Sequence, residues 1–168
     1  DLYNEPGNFD ILERSLPLLK NVIKWAREVN VQQPITIGLW NWGEDFTAFN
    51  KVQAENSDII TFHDYNKPDQ LKSRIEDLKK YDRPIICTEY MARTRGCTFQ
   101  SHLPVFKKEN IGAINWGLVN GKTNTIFMWD SVYTEEPDVW FHDIFRKDGT
   151  PYDSAEITLI KELSSKTQ

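Results

Sequence analysis

The stretch Pro84-Ile-Ile-Cys-Thr-Glu-Tyr90 determines how the rest of the chain is interpreted, because an apolar run ends there on a glutamate. A short run that is apolar at consecutive positions, without polar alternation, is typical of a parallel strand covered on both faces. Similar runs lie at residues 35–40, 58–62 and 111–116. Together with residues 84–89, they predict four parallel strands.

Amphipathic segments separate these predicted strands. Apolar residues recur with a helical period in the stretches 9–30, 45–54, 68–80, 98–110 and 154–163. Pro17 interrupts the first stretch, so the sequence predicts either a kink or the start of a second helix there. Strands that alternate with helices indicate a parallel sheet with helices packed outside it.

This alternation fits two architectures, a doubly wound open sheet and a (β/α)8 barrel. An open sheet usually carries a glycine-rich phosphate turn after an early strand, and the sequence has none. A barrel places its catalytic residues at the C-terminal ends of several strands. Polar and aromatic residues stand at such ends here, namely Asn4-Glu5, Trp40-Asn41, His63 with Tyr65, Glu89 and Trp116. The sequence therefore predicts a barrel.

Two of these strand-end residues, Glu5 and Glu89, are the kind of carboxylic acid pair that a retaining glycosidase requires. One protonates the leaving oxygen and the other attacks the sugar carbon, with the two carboxyl groups about 5–5.5 Å apart. The chain also has six Trp, six Tyr and nine Phe. Aromatic rings suit the flat C–H faces of sugars, although an aromatic-rich core explains the same composition.

The motifs Asn4-Glu5-Pro6, His63-x-Tyr65, Thr88-Glu89 and Ala113-Ile-Asn-Trp116 resemble the fourth, sixth, seventh and eighth strand ends of clan A retaining glycoside hydrolases. In particular, they are similar to the family 5-like cellulases, mannanases and 1,4-β-xylanases. The resemblance covers essentially the whole chain. It implies an α/β fold in which residues 1–168 are a single partial domain, the C-terminal half of a (β/α)8 TIM barrel. Strands 5–8 and their following helices are then preceded by the end of strand 4.

The resemblance also assigns roles to individual residues. Glu5 is similar to the general acid/base and Glu89 to the nucleophile. Asn4 is similar to the amide that binds the 2-hydroxyl beside the reacting carbon, a contact that strengthens in the transition state. His63 and Tyr65 are expected to line the pocket and to donate to the substrate or to Glu89.

Tryptophans complete the expected substrate site. Trp116 resembles the platform beneath the sugar at the cleavage point. Trp40, Trp42 and Trp129 either extend this platform or are packed in the interior. Arg93 and Arg95 follow Glu89 in the sequence, and solvation at the surface is the better interpretation for both.

Composition argues against several other classes of protein. The net charge is −5 without a basic cluster, which disfavours a nucleic-acid partner. No stretch approaches the roughly 18–20 apolar residues of a membrane span. Three scattered histidines and two cysteines give no metal-ligand spacing, so we expect neither a metal nor a cofactor. Cys87 and Cys97 are either buried thiols or, in an exported protein, a disulfide.

The resulting hypothesis is hydrolysis of β-glycosidic bonds by a retaining double displacement in the full-length parent protein. The expected enzyme is an endo-β-1,4-glycanase, such as a xylanase or cellulase, that acts on β-linked polysaccharide or oligosaccharide and is secreted or periplasmic. The alternatives are an exo-acting β-galactosidase or β-mannosidase of the same clan and a non-catalytic carbohydrate-binding fragment. By itself the chain is expected to be inactive without the N-terminal half of the barrel, and to self-associate.

Overall fold

The computed structural model describes residues 1–7 and 12–165. In this part the chain has a mixed α/β structure with five α-helices and three short strands. The helices are α1 Leu12–Val29, α2 Thr47–Asn56, α3 Pro68–Lys79, α4 Phe99–Glu109 and α5 Ser154–Ser164, and the strands are β1 Ile60–His63, β2 Ile85–Glu89 and β3 Gly112–Ala113. The chain divides into two compact units. Unit 1 comprises residues 1–64 and 74–88, and unit 2 comprises residues 65–73 and 89–168.

Segments of unit 1 lie side by side in the order in which the chain reaches them. The Leu2 N–H donates to Thr36 O at 2.8 Å, which connects residues 1–6 to the segment 35–39. That segment forms a parallel bridge to β1 between Leu39 and Phe62. On its other side β1 neighbours β2, and the Ile60 N–H donates to Pro84 O at 2.9 Å. The parallel arrangement expected from the apolar runs is present in unit 1.

The prediction of a regular strand over residues 35–40 is wrong, since this segment contributes a single isolated bridge. The reason lies in its backbone donors. The Ile35 N–H donates to the Asp58 carboxylate at 2.8 Å and the Ile37 N–H to the Ser57 hydroxyl at 3.2 Å. Side-chain oxygens thus replace the carbonyl partners that a ladder would supply.

Helix α1 is continuous across Pro17, so the alternative in which a second helix begins there is wrong. Residues on both sides of the proline, Leu12 and Leu16 before it and Leu19 and Ile23 after it, pack in one core cluster. A proline inside a helix costs about 3 kcal/mol, and burial of several leucine or isoleucine side chains offsets that cost. The predicted helix start at residues 9–11 lies outside the described residues.

Helix α4 of unit 2 has a well-formed N-terminal cap. The Thr98 hydroxyl accepts from the Ser101 N–H while the Ser101 hydroxyl accepts from the Thr98 N–H, which forms a capping box. Beyond α4, the predicted strand 111–116 shortens to the two residues of β3. The Trp116 N–H still donates to Tyr90 O at 2.9 Å, so this segment runs beside the chain that follows β2. Gly117, with φ of 81°, then turns the chain away.

Arg93 organises the long connection between β3 and α5. Its guanidinium donates to the Glu156 carboxylate at 2.6 and 2.8 Å, and to Trp140 O and Asp143 O at 3.0 Å each. The side chains of Arg93 and Glu156 are only 7% and 4% exposed. The expectation that Arg93 is a solvated surface residue is therefore wrong. A buried guanidinium needs several acceptors, and this connection supplies them.

The two cysteines are buried in the structure as reduced thiols. Cys97 accepts a hydrogen bond at Sγ from the Met91 N–H at 3.2 Å. Among the described helices, none combines the length and the apolar character that crossing a membrane requires.

Candidate functional site

Glu5 and His63 form the first polar pair of interest, and both belong to unit 1. Glu5 Oε1 lies 2.7 Å from His63 Nδ1. His63 is the last residue of β1 and is 3% exposed, whereas the Glu5 side chain is 34% exposed. The imidazole is thus fixed by the strand and by burial, while the carboxyl group retains access to solvent.

The backbone of Glu5 is strained. Its φ of 46° lies in the left-handed region, which residues other than glycine rarely adopt. The segment is held on both sides, because the Leu2 N–H donates to Thr36 O and the Trp40 Nε1–H donates to Pro6 O at 3.0 Å. Such a conformation costs about 1–3 kcal/mol and is concentrated at functional sites.

Two glycines make room for this arrangement. A Cβ on Gly7, where φ is 85°, would lie 2.8 Å from Leu12 Cδ1 and 3.2 Å from a Phe46 ring atom. A Cβ on Gly38 would lie 3.2 Å from His63 Nε2. Gly7 therefore allows the turn after Glu5, and Gly38 leaves space for the imidazole.

Glu89 and Tyr65 form a second polar pair, and both belong to unit 2. The Tyr65 hydroxyl donates to Glu89 Oε2 at 3.0 Å. Glu89 is the last residue of β2, as the apolar run before it predicts, and it is half-buried. A donor on a carboxylate oxygen favours the ionised form, which is the form that a nucleophile needs. Donation to Glu89 is one of the two contacts that the sequence led us to expect for Tyr65.

The ring of Tyr65 connects Glu89 to an aromatic wall in the same unit. Its centroid lies 4.7 Å from that of Trp129 in an edge-to-face arrangement, and 5.8 Å from that of His142. Trp129, His142 and Trp116 line an open cavity of about 650 Å³. Trp116 and Trp129 are 44% and 41% exposed, which leaves their rings available to a ligand.

The other predicted residues of unit 1 have different surroundings. Asn4 is exposed, next to Glu5. Trp40 is half-buried, with its indole N–H bonded to Pro6 O and its ring 5.8 Å from the ring of Phe46. Trp42 lies under the Arg74 guanidinium, 4.8 Å from its ring centroid. The contacts of Trp40 hold the segment that carries Glu5.

His142 is a residue that sequence reasoning missed. It is buried, it lines the cavity, and its Nδ1 lies 2.5 Å from Met91 O. Burial lowers the pKa of its imidazole to about 4, and the charge of Arg93 acts in the same direction. The sequence signal was slight, a histidine within the aromatic stretch Trp140-Phe141-His142. Only the fold shows that this histidine is buried beside a cavity, where its neutral form is favoured.

Asp143, the next residue, is also buried, and desolvation raises the pKa of its carboxyl group. The Thr125 hydroxyl donates to Asp143 Oδ1 at 2.7 Å, which favours the ionised form and opposes the effect of burial. The His142 N–H donates to Thr125 O at 3.1 Å. Residues 125 and 142–143 are thereby held together at the edge of the cavity.

No protein-family model matches the chain, and a search of curated proteins also gives no match.

Proposed function

We propose that the protein is a retaining β-glycosidase of the clan A type that acts on β-linked polysaccharide or oligosaccharide, in particular an endo-β-1,4-glycanase such as a xylanase or cellulase. The observation that carries the proposal is the position of Glu89. Its carboxylate accepts from Tyr65, whose ring packs against the Trp129 and His142 side chains of the cavity wall. A carboxylate oriented by a phenol and connected to exposed tryptophans suits attack on a sugar ring.

In the proposed first step, the Glu89 carboxylate attacks the anomeric carbon and forms a glycosyl ester. The bond from that carbon to the leaving oxygen breaks, and the oxygen takes the proton of Glu5. In the second step, water attacks the anomeric carbon and gives its proton to Glu5, while the bond from that carbon to the Glu89 oxygen breaks and releases the carboxylate. This chemistry requires the two carboxyl groups to be about 5–5.5 Å apart during the reaction.

His63 is the proposed orienting partner of Glu5. At 2.7 Å from Oε1, its Nδ1 is within hydrogen-bonding distance of the carboxyl group. A general acid must return to the same position after each proton transfer, and a buried imidazole on a strand end provides a fixed reference point. The strained backbone of Glu5 gives independent support for a functional position.

For the fold, we propose more specifically that the mixed α/β structure is the C-terminal half of a (β/α)8 barrel. Its support in unit 1 is the sequential order of residues 1–6, the segment 35–39, β1 and β2, with helices α1 to α3 between them along the chain. In unit 2, the bond from Trp116 to Tyr90 O supports the position of the last strand. The carboxyl ends of these segments carry the residues with chemical roles, as barrel enzymes require.

Azide rescue tests the role of Glu89 directly. In the full-length protein, Glu89→Ala should lower kcat on an aryl β-glycoside by about 10⁴-fold or more, because the covalent route is lost. Azide should restore part of the rate and give a glycosyl azide of inverted configuration. Glu55→Ala, on the exposed face of α2, is the matched control and should retain full activity. Full activity in Glu89→Ala would refute the proposal.

A further inference from the structure

The cavity of unit 2 has an uncharged lining among the described residues. Rings from Trp116, Phe127, Trp129 and Tyr133 alternate with hydroxyl and amide groups, and the imidazole of His142 completes the lining. Arg95 lies over the Trp129 ring, 5.6 Å from its centroid, without lining the cavity. Two other charged residues, Arg93 and Asp143, act on lining residues without lining the cavity themselves, since the charge of Arg93 lowers the pKa of His142 and Asp143 accepts from the Thr125 hydroxyl. A ligand that enters the cavity therefore meets aromatic faces and neutral hydrogen-bonding groups.

The tautomer of His142 follows from its partners. Met91 O is an acceptor, so Nδ1 must carry the proton that bridges the 2.5 Å between them. Nε2 is then a lone-pair acceptor. It is buried and has no hydrogen-bond partner within the described part of the chain. A buried acceptor nitrogen that receives no hydrogen bond costs about 1–3 kcal/mol compared with one that does. The site therefore favours a ligand that supplies a hydrogen-bond donor.

The position of His142 is tightly fixed by its neighbours. A Cβ on Gly117 would lie 2.7 Å from His142 Cβ, and φ at Gly117 is 81°. Only glycine therefore fits directly after Trp116 without displacing the histidine. The backbone of Phe141 is also held, since the Arg93 N–H donates to Phe141 O at 3.0 Å. His142 and Trp116 are thus on two segments that pack directly against each other at Gly117.

We propose that the cavity of unit 2 binds an uncharged sugar residue, and that His142 Nε2 accepts a hydrogen bond from one of its hydroxyl groups. The inference deepens the proposed function and takes the class of ligand, a sugar, from it. A uronic acid or amino sugar would place a charge against a lining that has no counter-charge, at a large desolvation cost. A neutral pentose or hexose offers both an apolar face for the rings and a hydroxyl donor for Nε2.

Because Nε2 is buried, a ligand hydroxyl group can reach it only after a small movement of the cavity wall. The ring of Trp129 packs against the imidazole, with 5.2 Å between centroids, and is partly exposed. Displacement of this indole changes its environment, so intrinsic fluorescence reports binding.

Two substitutions of His142 distinguish the role of Nδ1 as a donor from the role of Nε2 as an acceptor. In His142→Asn, the side-chain amide replaces the Nδ1 donor to Met91 O and removes the acceptor at the position of Nε2. In His142→Gln, the longer amide places an acceptor near the position of Nε2. The His102→Asn variant is the matched control, because His102 is equally buried but both of its nitrogens have partners, Ser101 Oγ at 2.7 Å and Asn66 O at 3.0 Å.

The experiment measures the Kd of xylotriose, cellotriose and trigalacturonate by fluorescence titration of the full-length protein, in a Glu89→Gln background that prevents turnover. We expect a neutral trisaccharide to bind, His142→Asn to weaken it about tenfold or more, His142→Gln to weaken it less, and His102→Asn to leave it unchanged. Trigalacturonate should not bind. In histidine-¹⁵N NMR of the unsubstituted protein, the Nε2 signal of His142 should shift on addition of the neutral sugar.

Unchanged affinity in His142→Asn, equal affinity for trigalacturonate, or an unmoved Nε2 signal at saturation would each overturn the inference. If the protein hydrolyses an aryl β-glycoside in a Glu89-dependent way but binds no neutral trisaccharide through His142, the inference fails and the proposed function stands. If the sugar binds through His142 but no hydrolysis is found, the proposed function fails and the site stands. The NMR measurement decides the case in which the asparagine variant does not fold.

Discussion

Glu5 of unit 1 and Glu89 of unit 2 each lie next to a side chain that the fold positions, but the two glutamates are held differently. In unit 1, Glu5 lies on a strained backbone, and its carboxyl oxygen is 2.7 Å from the imidazole Nδ1 of His63. In unit 2, Glu89 ends a regular strand and accepts a hydrogen bond from the phenol of Tyr65. The contrast corresponds to the two roles in the proposed reaction, one carboxyl that cycles its proton and one that stays ionised.

The ion pairs of the units differ in a second way. In unit 1, Arg27 binds Asp58 with two bonds of 2.8 and 2.9 Å, and the side chains are 47% and 40% exposed. This contact lowers the pKa of the Asp58 carboxyl group. In unit 2, the Arg93–Glu156 pair has similar bond lengths but is almost fully buried. The two pairs therefore contribute differently to the free energy of unfolding despite their similar bond lengths, because solvent screens only the Arg27–Asp58 pair.

The largest expected effect concerns the difference between the glutamates. Glu5→Gln in the full-length protein should lower kcat/KM by about 10²–10⁴-fold on substrates with a poor leaving group, since a general acid contributes that much. With dinitrophenyl glycosides the loss should be much smaller, because the leaving oxygen needs no proton. The measurement is kcat/KM across a series of aryl β-glycosides. A loss that is independent of the leaving group would remove Glu5 from the acid role.

The second prediction compares the ion pairs. Arg93→Met leaves the Glu156 carboxylate buried without its partner and should lower the free energy of unfolding by about 3–5 kcal/mol. Arg27→Met should cost no more than about 1 kcal/mol, because that pair is exposed. Urea denaturation followed by circular dichroism provides both values. The double variant Arg93→Met with Glu156→Leu should recover part of the loss. Similar costs for Arg27→Met and Arg93→Met would contradict the comparison.

The third prediction concerns acid stability in unit 2. The unfolded chain protonates His142 near pH 6.5, whereas the folded protein does so only near pH 4. Between these values the unfolded state binds more protons, so stability falls as the pH is lowered. Each pKa unit corresponds to about 1.4 kcal/mol, which gives a loss of up to about 3 kcal/mol.

Neighbouring groups modify this loss and provide its control. His102, whose pKa is also lowered by burial, acts in the same direction, while Asp143, whose pKa is raised by burial, acts in the opposite one. The positive charge of Arg93 contributes to the low pKa of His142, and the Tyr65 ring packs on its imidazole. Unfolding of His142→Asn should depend less on pH between 6.5 and 4 than unfolding of the unsubstituted protein. Parallel pH profiles would show that His142 does not carry the effect.

The smallest effect is expected for Tyr65→Phe. Removal of the hydroxyl takes one hydrogen bond of 3.0 Å from Glu89. A bond to a charged group contributes about 1.5–3 kcal/mol, so kcat should fall about 10–100-fold, less than in Glu89→Ala. Tyr81→Phe, at the end of α3, is the control and should have no effect. A loss as large as that of Glu89→Ala would mean that Tyr65 takes part in the chemistry itself.

Local patterns in the sequence were sufficient for several elements. The apolar run at residues 84–89 predicted β2, and helical periodicity predicted α3, α4 and α5 to within a few residues. Thr98 and Asp153 cap their helices through their own side chains, which are interactions between residues two or three positions apart. Such features depend on neighbours along the chain, so they are readable before the fold is known.

Strand regularity was less accessible to sequence reasoning. Residues 35–40 and 111–116 have the same apolar character as residues 84–89, yet the first segment forms only a bridge and the second only the two residues of β3. Whether an apolar segment becomes a ladder depends on which acceptors its N–H groups meet. In the segment 35–40, the Asp58 and Ser57 side chains accept from two of the backbone N–H groups. The periodicity of the sequence does not predict these contacts.

By itself the sequence determined that β2 ends at Glu89, because the apolar run 84–88 stops at this glutamate. Only the tertiary structure decided which residues become hydrogen-bond partners. Glu5 and His63 are 58 positions apart, Met91 and His142 are 51 apart, and Arg93 and Glu156 are 63 apart. Each pair includes at least one group that the fold buries, and a buried polar group needs a hydrogen-bond partner, a condition that depends on burial and not on spacing along the chain.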